Sequence, residues 1–190
     1  RNVDASYSGT YGFYDLNGIR IGFSDCTAIG NGNDGFFYSG LSTDTSSFYS
    51  CLADGNTSDG FELALGTVFM YSCRAGGNDA HGFNISGIDT SVLDNCIGFD
   101  NALDGFSFED TASDDNILIN PICLSNDQYG IDITVSTNQR NKIINPFFSG
   151  NTLGTIRDAG TDTYYVNSGA GTFTAANGAN NNIDLSENKF

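Results

Sequence analysis

Positive charge is scarce in this sequence. Only seven of the 190 residues are Lys or Arg, whereas 23 are Asp or Glu, so the formal net charge is −16 and the pI is near 4.1. Nucleic acids and anionic membrane surfaces both select basic proteins, so this charge argues against either as a partner. It also disfavours polyanionic substrates such as pectin or alginate.

Other features are absent as well. No apolar run is long enough to span a membrane, and no segment carries a helical apolar stripe of useful length. The five cysteines show no Cys-X-X-Cys or Cys/His spacing that would suggest zinc, and an odd number cannot all pair within the chain. Tryptophan is absent, so a sugar-stacking platform would depend on Tyr and Phe. We therefore predict neither membrane insertion nor a metal site.

Glycine, by contrast, recurs at a nearly fixed interval. The members of this series are 22 to 25 residues apart, and five of the first six precede a Phe: Gly12, Gly35, Gly60, Gly82, Gly105, Gly130 and Gly154. A period in this range predicts a solenoid. Each glycine opens a run of alternating apolar and other residues, and a second apolar run follows, which predicts two or three short strands per turn. The fold class is therefore an all-β parallel β-helix of about 22–25 residues per turn, with an antiparallel β-sandwich as the alternative.

The same period predicts what fills the core. The residues that follow the glycines should stack along the interior at about 4.8 Å, as a ladder of Phe13, Phe36, Phe61, Phe83, Phe106 and Ile131. The cysteines recur with the same spacing, and we interpret them as a column of small buried thiols rather than as disulfides. This column comprises Cys26, Cys51, Cys73 and Cys96, with Cys123 near the matching place in a slightly longer repeat.

Two outward columns are predicted to lie beside each other on one face. The residues before the glycines are Asp34, Asp59, His81, Asp104, Tyr129 and Leu153, and those two positions after them are Phe37, Glu62, Asn84, Ser107 and Asp132. Paired carboxylates can act as general acid and base on a glycoside, and a nearby His or Tyr can move a proton. The catalytic candidates are Asp59, Glu62, His81 and Asp104. The substrate-binding candidates are Phe37, Asn84, Glu109, Tyr129 and Asp132.

A structural interpretation of the same residues stays open. Asp before Gly is ordinary turn chemistry, because Asp caps its own backbone and Gly tolerates a positive φ. His81 interrupts the Asp column, so turn preference explains it less well. Acidic clusters at 54–59, 110–115 and 158–162 offer oxygen ligands for Ca²⁺, but none matches a known calcium-binding loop. We favour solvated acidic turns there and expect no cofactor.

The period also suggests how the chain is organised. We predict β-helix repeats over residues 1–168 and an aperiodic segment over 169–190, which would be a cap, a linker or an oligomer contact. Solenoids need terminal caps, and the sequence opens abruptly in turn-like residues, so we expect it to be a piece of a longer chain.

Residues 95–106, NCIGFDNALDGF, resemble repeats of the right-handed parallel β-helix superfamily, the pectate-lyase-like proteins. The resemblance covers about residues 11–166 and implies a right-handed solenoid. Residues 78–84, NDAHGFN, resemble a motif of the catalytic module of mannuronan C5-epimerases, in which the matching His lines the active site. The Asp-Pro-His-Glu motif of those enzymes has no counterpart after Gly35, where the sequence reads FFYSG.

Proteins with such repeats include enzymes, phage tailspikes and surface proteins, so the resemblance specifies a fold more than an activity. It implies an extracellular, cell-surface or virion module that binds a polysaccharide or cell-surface glycan along its lateral face. It also raises a homotrimer as a candidate assembly. The alternatives are a polysaccharide hydrolase, lyase or C5-epimerase that uses His81 and nearby carboxylates, and a purely structural spacer.

Overall fold

The computed structural model describes residues 1–41, 45–109 and 113–166, together with the backbone of 173–175 and 183–184. These residues form 22 short strands and contain no helix, so the described part of the chain has no membrane-spanning helix. In chain order the strands are β1 (Phe13–Leu16), β2 (Gly22–Ser24), β3 (Thr27–Ile29), β4 (Phe36–Ser39), β5 (Thr45–Tyr49), β6 (Leu52–Asp54), β7 (Phe61–Leu65), β8 (Thr67–Tyr71), β9 (Arg74–Gly76), β10 (Phe83–Ile85), β11 (Val92–Asp94), β12 (Ile97–Phe99), β13 (Phe106–Phe108), β14 (Ile117–Ile119), β15 (Ile122–Leu124), β16 (Tyr129–Ile133), β17 (Lys142–Ile144), β18 (Phe147–Ser149), β19 (Gly154–Asp158), β20 (Tyr164–Val166), β21 (Phe173–Ala175) and β22 (Ile183–Asp184).

The strands build a parallel β-helix of about six turns, as the glycine period predicts. Each complete turn contributes one strand to each of three sheets. The first sheet has the order β1-β4-β7-β10-β13-β16-β19-β21, and the second has the order β2-β5-β8-β11-β14-β17-β20-β22. The third sheet contains β3, β6, β9, β12, β15 and β18. Every pairing between these strands is parallel, so equivalent residues of successive turns lie next to each other.

The core consists of stacked side chains from all three sheets. The predicted ladder of the first sheet is confirmed in register, and its four consecutive Phe–Phe pairs are stacked with ring centroids 4.6–5.0 Å apart. Phe48 of the second sheet packs edge-on against Phe36 and Phe61 at 6.1 and 6.0 Å. Burying one such ring contributes roughly 1.5–3 kcal/mol, so repetition supplies the stability that each short strand lacks.

The cysteine column is confirmed except at its last member. All five thiols are free and buried, and Cys26, Cys51, Cys73 and Cys96 each donate to the carbonyl two residues earlier. Cys123 pairs in register with Gly98, which places it two positions further along its turn than those four. It belongs to the inward column of the third sheet, which comprises Ala28, Ala53, Ala75, Gly98, Cys123 and Phe148. Pro121 takes the position of Cys96 in that turn, and because the step between them is the same as from Cys26 to Cys51, a longer repeat does not explain the place of Cys123.

A ladder of buried asparagines holds the turn between the third and first sheets. From Asn56 onward, each side-chain Oδ1 accepts hydrogen bonds from the backbone N–H and the side-chain amide of the asparagine one turn earlier, with amide distances of 2.8–2.9 Å. The first Oδ1, that of Asn31, accepts from the Ser8 N–H. The members of the ladder are Asn31, Asn56, Asn78, Asn101, Asn126 and Asn151. Since buried backbone groups need partners, this ladder satisfies the turn and fixes the alignment of one coil on the next.

The recurring glycines lie where two coils meet closely. A Cβ at Gly60 would lie 2.6 Å from the carbonyl oxygen of Gly82 and 2.7 Å from the Cβ of Ala75. Only glycine fits there, so the period arises from backbone contact between coils. From Gly12 to Gly130, the residue after each of these glycines points into the core, and the residue two positions after the glycine points outward from the first sheet.

The solenoid continues into the C-terminal segment where the structure describes it. Strand β21 pairs in parallel with β19, and β22 pairs in parallel with β20. The rest of residues 169–190 lies outside the described residues, so the domain boundary at 168 stays a prediction.

Candidate functional site

The outer surface of the first sheet carries most of the residues that the sequence selects. We call this surface the lateral face. Its central column runs in register from turn to turn through Tyr14, Phe37, Glu62, Asn84, Ser107, Asp132 and Arg157. The residues before the glycines form a second column along its edge, as predicted.

The edge column has a structural role. Asp34 Oδ1 accepts a hydrogen bond from the backbone N–H of Asp59 at 3.1 Å, and Asp59 Oδ1 accepts one from the N–H of His81 at 2.8 Å. Asp104 Oδ1 accepts from the N–H of Tyr129 at 2.7 Å. Each carboxylate therefore ties its turn to the next, and Asp34, Asp59 and Asp104 are only 1–6 % exposed. These three residues are therefore structural, but not by the predicted turn chemistry: they bind the next coil rather than their own backbone, and the glycines that follow them do not have a positive φ.

Side-chain contacts then join the two columns. Asn84 Nδ2 donates to Asp59 Oδ2 at 3.1 Å and to Glu109 Oε2 at 3.3 Å. Glu109 Oε1 lies 2.9 Å from His81 Nε2, and the carboxyl of Glu62 is within hydrogen-bonding reach of Asp59. We call Asp59, Glu62, His81, Asn84, Asp104 and Glu109 the acidic network. All four catalytic candidates and two of the substrate-binding candidates belong to it.

His81 lies between two carboxylates. Its Nδ1 is 3.3 Å from Asp104 Oδ2 and 3.2 Å from the Asp104 backbone nitrogen. Burial alone would lower the pKa of the imidazole, but Asp104 and Glu109 outweigh it and raise the pKa to about 10. In turn, the hydrogen bond from His81 lowers the pKa of Glu109 despite its partial burial. The two carboxylates favour the imidazolium form of His81, whereas the Asp104 backbone N–H, which donates to Nδ1, favours the neutral tautomer with its proton on Nε2. In both forms Nε2–H donates to Glu109 Oε1.

The carboxyl of Glu62 differs from that of Glu109, because its pKa is raised rather than lowered. Burial and the nearby carboxylates Asp59 and Asp34 together raise the pKa of its carboxyl to about 8, although a hydrogen bond from the Ser86 hydroxyl partly opposes them. Burial also raises the pKa of Asp34. A pKa near 8 favours the neutral carboxylic acid form of Glu62 at pH 7.

An aromatic platform lies at one end of the lateral face. Tyr14 and Phe37 stack with ring centroids 5.0 Å apart, and Tyr11 packs against them at 4.8 and 5.4 Å. Tyr14 is 54 % exposed, and a shallow depression of about 410 Å³ opens between Thr10, Tyr11, Gly12 and Tyr14. Phe37 is next to Glu62 in register, so the platform, defined as Tyr11, Tyr14 and Phe37, adjoins the acidic network.

A fixed arginine marks the other end. The Arg157 guanidinium donates from Nε to Asp132 Oδ1 at 2.7 Å and from Nη2 to Asp132 Oδ2, and its Cζ lies 4.9 Å from the Tyr129 ring centroid. Asp132 is 1 % exposed; burial raises the pKa of its carboxyl, and Arg157 opposes that shift. The structure therefore places Tyr129 and Asp132 in a separate cluster from the acidic network.

Four residues of the face lie outside the sequence-based selection: Tyr11, Tyr14, Ser86 and Arg157. Tyr14 could have been found, because it stands two positions after Gly12, as Phe37 does after Gly35. Arg157 lies three positions after Gly154, so simple counting from the glycine misses it. Ser86 belongs to neither of the two columns that are counted from the glycines, so the repeat pattern does not identify it.

No group of three or more His, Cys, Asp or Glu residues suited to a metal occurs within the described parts of the chain. In the acidic cluster at 110–115, Asp110 lies outside the described residues, while Asp114 and Asp115 form ion pairs with Arg140. The expectation that no cofactor binds stays a prediction.

No protein-family model matches this chain, and comparison with curated proteins and with solved structures finds no match. The parallel β-helix is established by the strand pairing, whereas membership of the pectate-lyase-like superfamily stays a resemblance. Function is therefore inferred from the geometry of the lateral face.

Proposed function

We propose that this β-helix is an extracellular, cell-surface or virion-surface module that binds glycans along its lateral face. The observation that carries the proposal is the continuity of an exposed aromatic platform with a row of polar groups. Phe37 ends the platform, and Glu62 and Asn84 follow it in register on the next two turns.

This arrangement matches the chemistry of a sugar chain. Aromatic rings offer apolar surface to the C–H face of a sugar ring, and carboxylates and amides hydrogen-bond hydroxyl groups. Successive turns repeat at about 4.8 Å, so a linear polymer lying along the axis would meet one side chain of the column at each regular step. Ligand sites commonly combine apolar lining with a few fixed polar groups. Assembly as a homotrimer belongs to the same proposal and has no separate support here.

Titration calorimetry with a panel of neutral oligosaccharides tests this function. We expect Tyr14→Ala and Phe37→Ala each to weaken binding about tenfold or more, which corresponds to about 1.4 kcal/mol. Tyr49→Ala and Phe69→Ala are matched controls, because these rings are also exposed but lie on the second sheet. If the wild-type chain binds no saccharide, or if the control variants weaken binding equally, the lateral face is not the site.

A polysaccharide-processing enzyme is the second candidate, and the state of Glu62 favours it. A carboxylic acid that keeps its proton near pH 7 can protonate a glycosidic oxygen as the bond to the leaving group breaks. His81 is poorly suited to remove a proton from a sugar carbon, because both ring nitrogens already have partners, the Asp104 backbone N–H at Nδ1 and Glu109 at Nε2. We therefore prefer Glu62 to His81 as the catalytic candidate, and hydrolysis to epimerisation.

Mass spectrometry of a polysaccharide panel separates binding from catalysis. An enzyme gives shortened products that disappear in Glu62→Gln and persist in Asp25→Asn, a control carboxylate in a turn between the second and third sheets. Loss of product in His81→Ala with full retention in Glu62→Gln would instead restore the His81 hypothesis. No product together with saccharide affinity would indicate a binding module, and neither would indicate a structural spacer.

A further inference from the structure

The lateral face carries more negative than positive groups. Among the described residues its carboxylates are Asp34, Asp59, Glu62, Asp104, Glu109 and Asp132. The cations in contact with them are His81 and Arg157, and Arg157 is held by Asp132 at the far end of the face. The part of the face that adjoins the aromatic platform is therefore acidic, and it would attract a positively charged ligand.

Solvent reaches this acidic region at two carboxyl groups on either side of Asn84. Glu62 is half-buried and lies next to Asn84 in register, and the Glu109 side chain is 44 % exposed and contacts the Asn84 amide. Asp59 and Asp104 are buried and already accept hydrogen bonds from backbone N–H groups. They therefore add to the negative electrostatic potential of the region without contacting a ligand.

Asn84 supplies an independent sign that a ligand is missing. The residue is 7 % exposed, and its Nδ2 donates to two carboxylates. Its Oδ1 is buried and has no hydrogen-bond partner among the residues that the structure describes. A buried acceptor without a donor costs free energy, and such groups usually mark the place of a water, an ion or a ligand. What is missing is therefore a hydrogen-bond donor.

We propose that the acidic network binds the ammonium group of an amino-bearing saccharide, with Glu62, Glu109 and Asn84 Oδ1 as the acceptors. An ammonium group offers three donors and no acceptor, which matches these three acceptors. Charge-assisted hydrogen bonds are also stronger than neutral ones. The inference rests on the proposed glycan-binding function and names the class of sugar. The adjoining platform, ending at Phe37, would pack against the ring that carries the amine.

Binding of a cation here is coupled to proton release. Glu62 faces Asp59 of its own turn, Asp34 and Phe37 from the turn before, and Asn84 and Ser86 from the turn after. The net effect of these groups and of burial is a Glu62 pKa near 8. An ammonium group would favour the carboxylate form, so ligand binding at pH 7 should release up to about one proton per site.

Calorimetry with a glucosamine oligomer and its N-acetylated counterpart tests the proposal. The two ligands differ at the amino group, which is a cationic ammonium in one and a neutral, bulkier acetamide in the other. At pH 7 and low salt we expect the amine to bind at least about tenfold more tightly. Titrations in two buffers of different ionisation enthalpy should reveal proton release for the amine only. Glu62→Gln should abolish that release and most of the preference, Glu109→Gln should reduce the preference, and Asp25→Asn should change neither.

The outcomes separate this proposal from the glycan-binding function. Equal affinity for both oligomers would overturn the ammonium site and leave glycan binding intact, whereas no binding of either, or of any neutral saccharide, would remove both. A preference for the amine that persists in Glu62→Gln and Glu109→Gln would show long-range attraction only and would also overturn the site. So would displacement of the amine by stoichiometric Ca²⁺. Unfolding midpoints of each variant establish that it is folded.

Discussion

Replacing Asn78 by Asp tests whether the asparagine ladder holds the coils in register. Asn78 is 1 % exposed, and its Nδ2 donates to Asn101 Oδ1 at 2.9 Å and to the carbonyl of Ala53 at 3.5 Å. In Asn78→Asp an oxygen takes the place of this nitrogen and faces two acceptor oxygens. The introduced carboxyl must therefore keep a proton to remain in the ladder.

The cost of that proton depends on pH in a predictable direction. A carboxyl of this type has a pKa of about 3.9 in the unfolded chain. Each pH unit above about 3.9 adds about 1.4 kcal/mol to the free-energy cost of keeping the carboxyl protonated in the folded state. Because the folded state binds a proton that the unfolded state has lost, stability falls as pH rises from about 4 towards the raised pKa of the folded state. At pH 7 we expect Asn78→Asp to lose about 4 kcal/mol of folding stability beyond the small loss expected at low pH.

Urea unfolding between pH 4 and pH 7, followed by circular dichroism, measures this slope. Asn78→Ala is the control, because it removes the same hydrogen bonds without adding a titrating group. It should lose about 2–4 kcal/mol at every pH relative to the wild-type chain, with an unchanged m-value. If Asn78→Asp and Asn78→Ala depend on pH in the same way, the carboxyl is hydrated and the ladder is not the closed structure described above.

Three further outcomes are expected. His81 has a pKa of about 10 in the folded chain and about 6.5 in the unfolded chain. Its contribution to the free energy of unfolding is therefore complete below about pH 6.5 and is lost as pH rises to about 10. Urea midpoints of His81→Gln should lack this fall. Phe61→Ala should cost about 3–5 kcal/mol in urea unfolding, because the ring is fully buried in the stack, and Phe13→Ala, at the half-buried end, should cost less. Gly60→Ala should destabilise by more than Gly55→Ala, for which about 1–2 kcal/mol is expected from its positive φ alone; equal thermal midpoints would contradict the close contact at Gly60.

The fold was predictable because one physical constraint repeats along the chain. Glycine is required where a coil meets the next, and Gly60 shows why, since a Cβ there would overlap the backbone of Gly82. The phenylalanine after each glycine then points inward in the same way at every turn. The asparagine ladder was equally periodic, four residues before most of these glycines, but its meaning depends on burial, which the sequence does not display. Cys123 shows that approximate spacing can assign a residue to the wrong column, because it lies in register with Gly98 of the third sheet rather than with Cys96.

The sequence predicted which residues of the site lie close together, but not their protonation states or hydrogen bonds. Counting from the glycines brings Glu62 and Asn84 together, because the strands pair in register. It could not show that Asp59 and Asp104 already bind backbone N–H groups. The charge of His81 depends on Glu109, which is 28 residues away and folds back over the face. Protonation therefore follows from three-dimensional contacts that no local motif contains.

The buried thiols give this solenoid internal reporters of local opening. Cys26, Cys51, Cys73, Cys96 and Cys123 lie in five successive turns and are all 2 % exposed or less. Burial and contact with neighbouring thiols raise the pKa of Cys51 and Cys73, so alkylating reagents should reach them only when their turn opens. In a repeat protein each turn depends mainly on its neighbours. The order in which the thiols become modified would therefore trace, coil by coil, the path by which the molecule unravels.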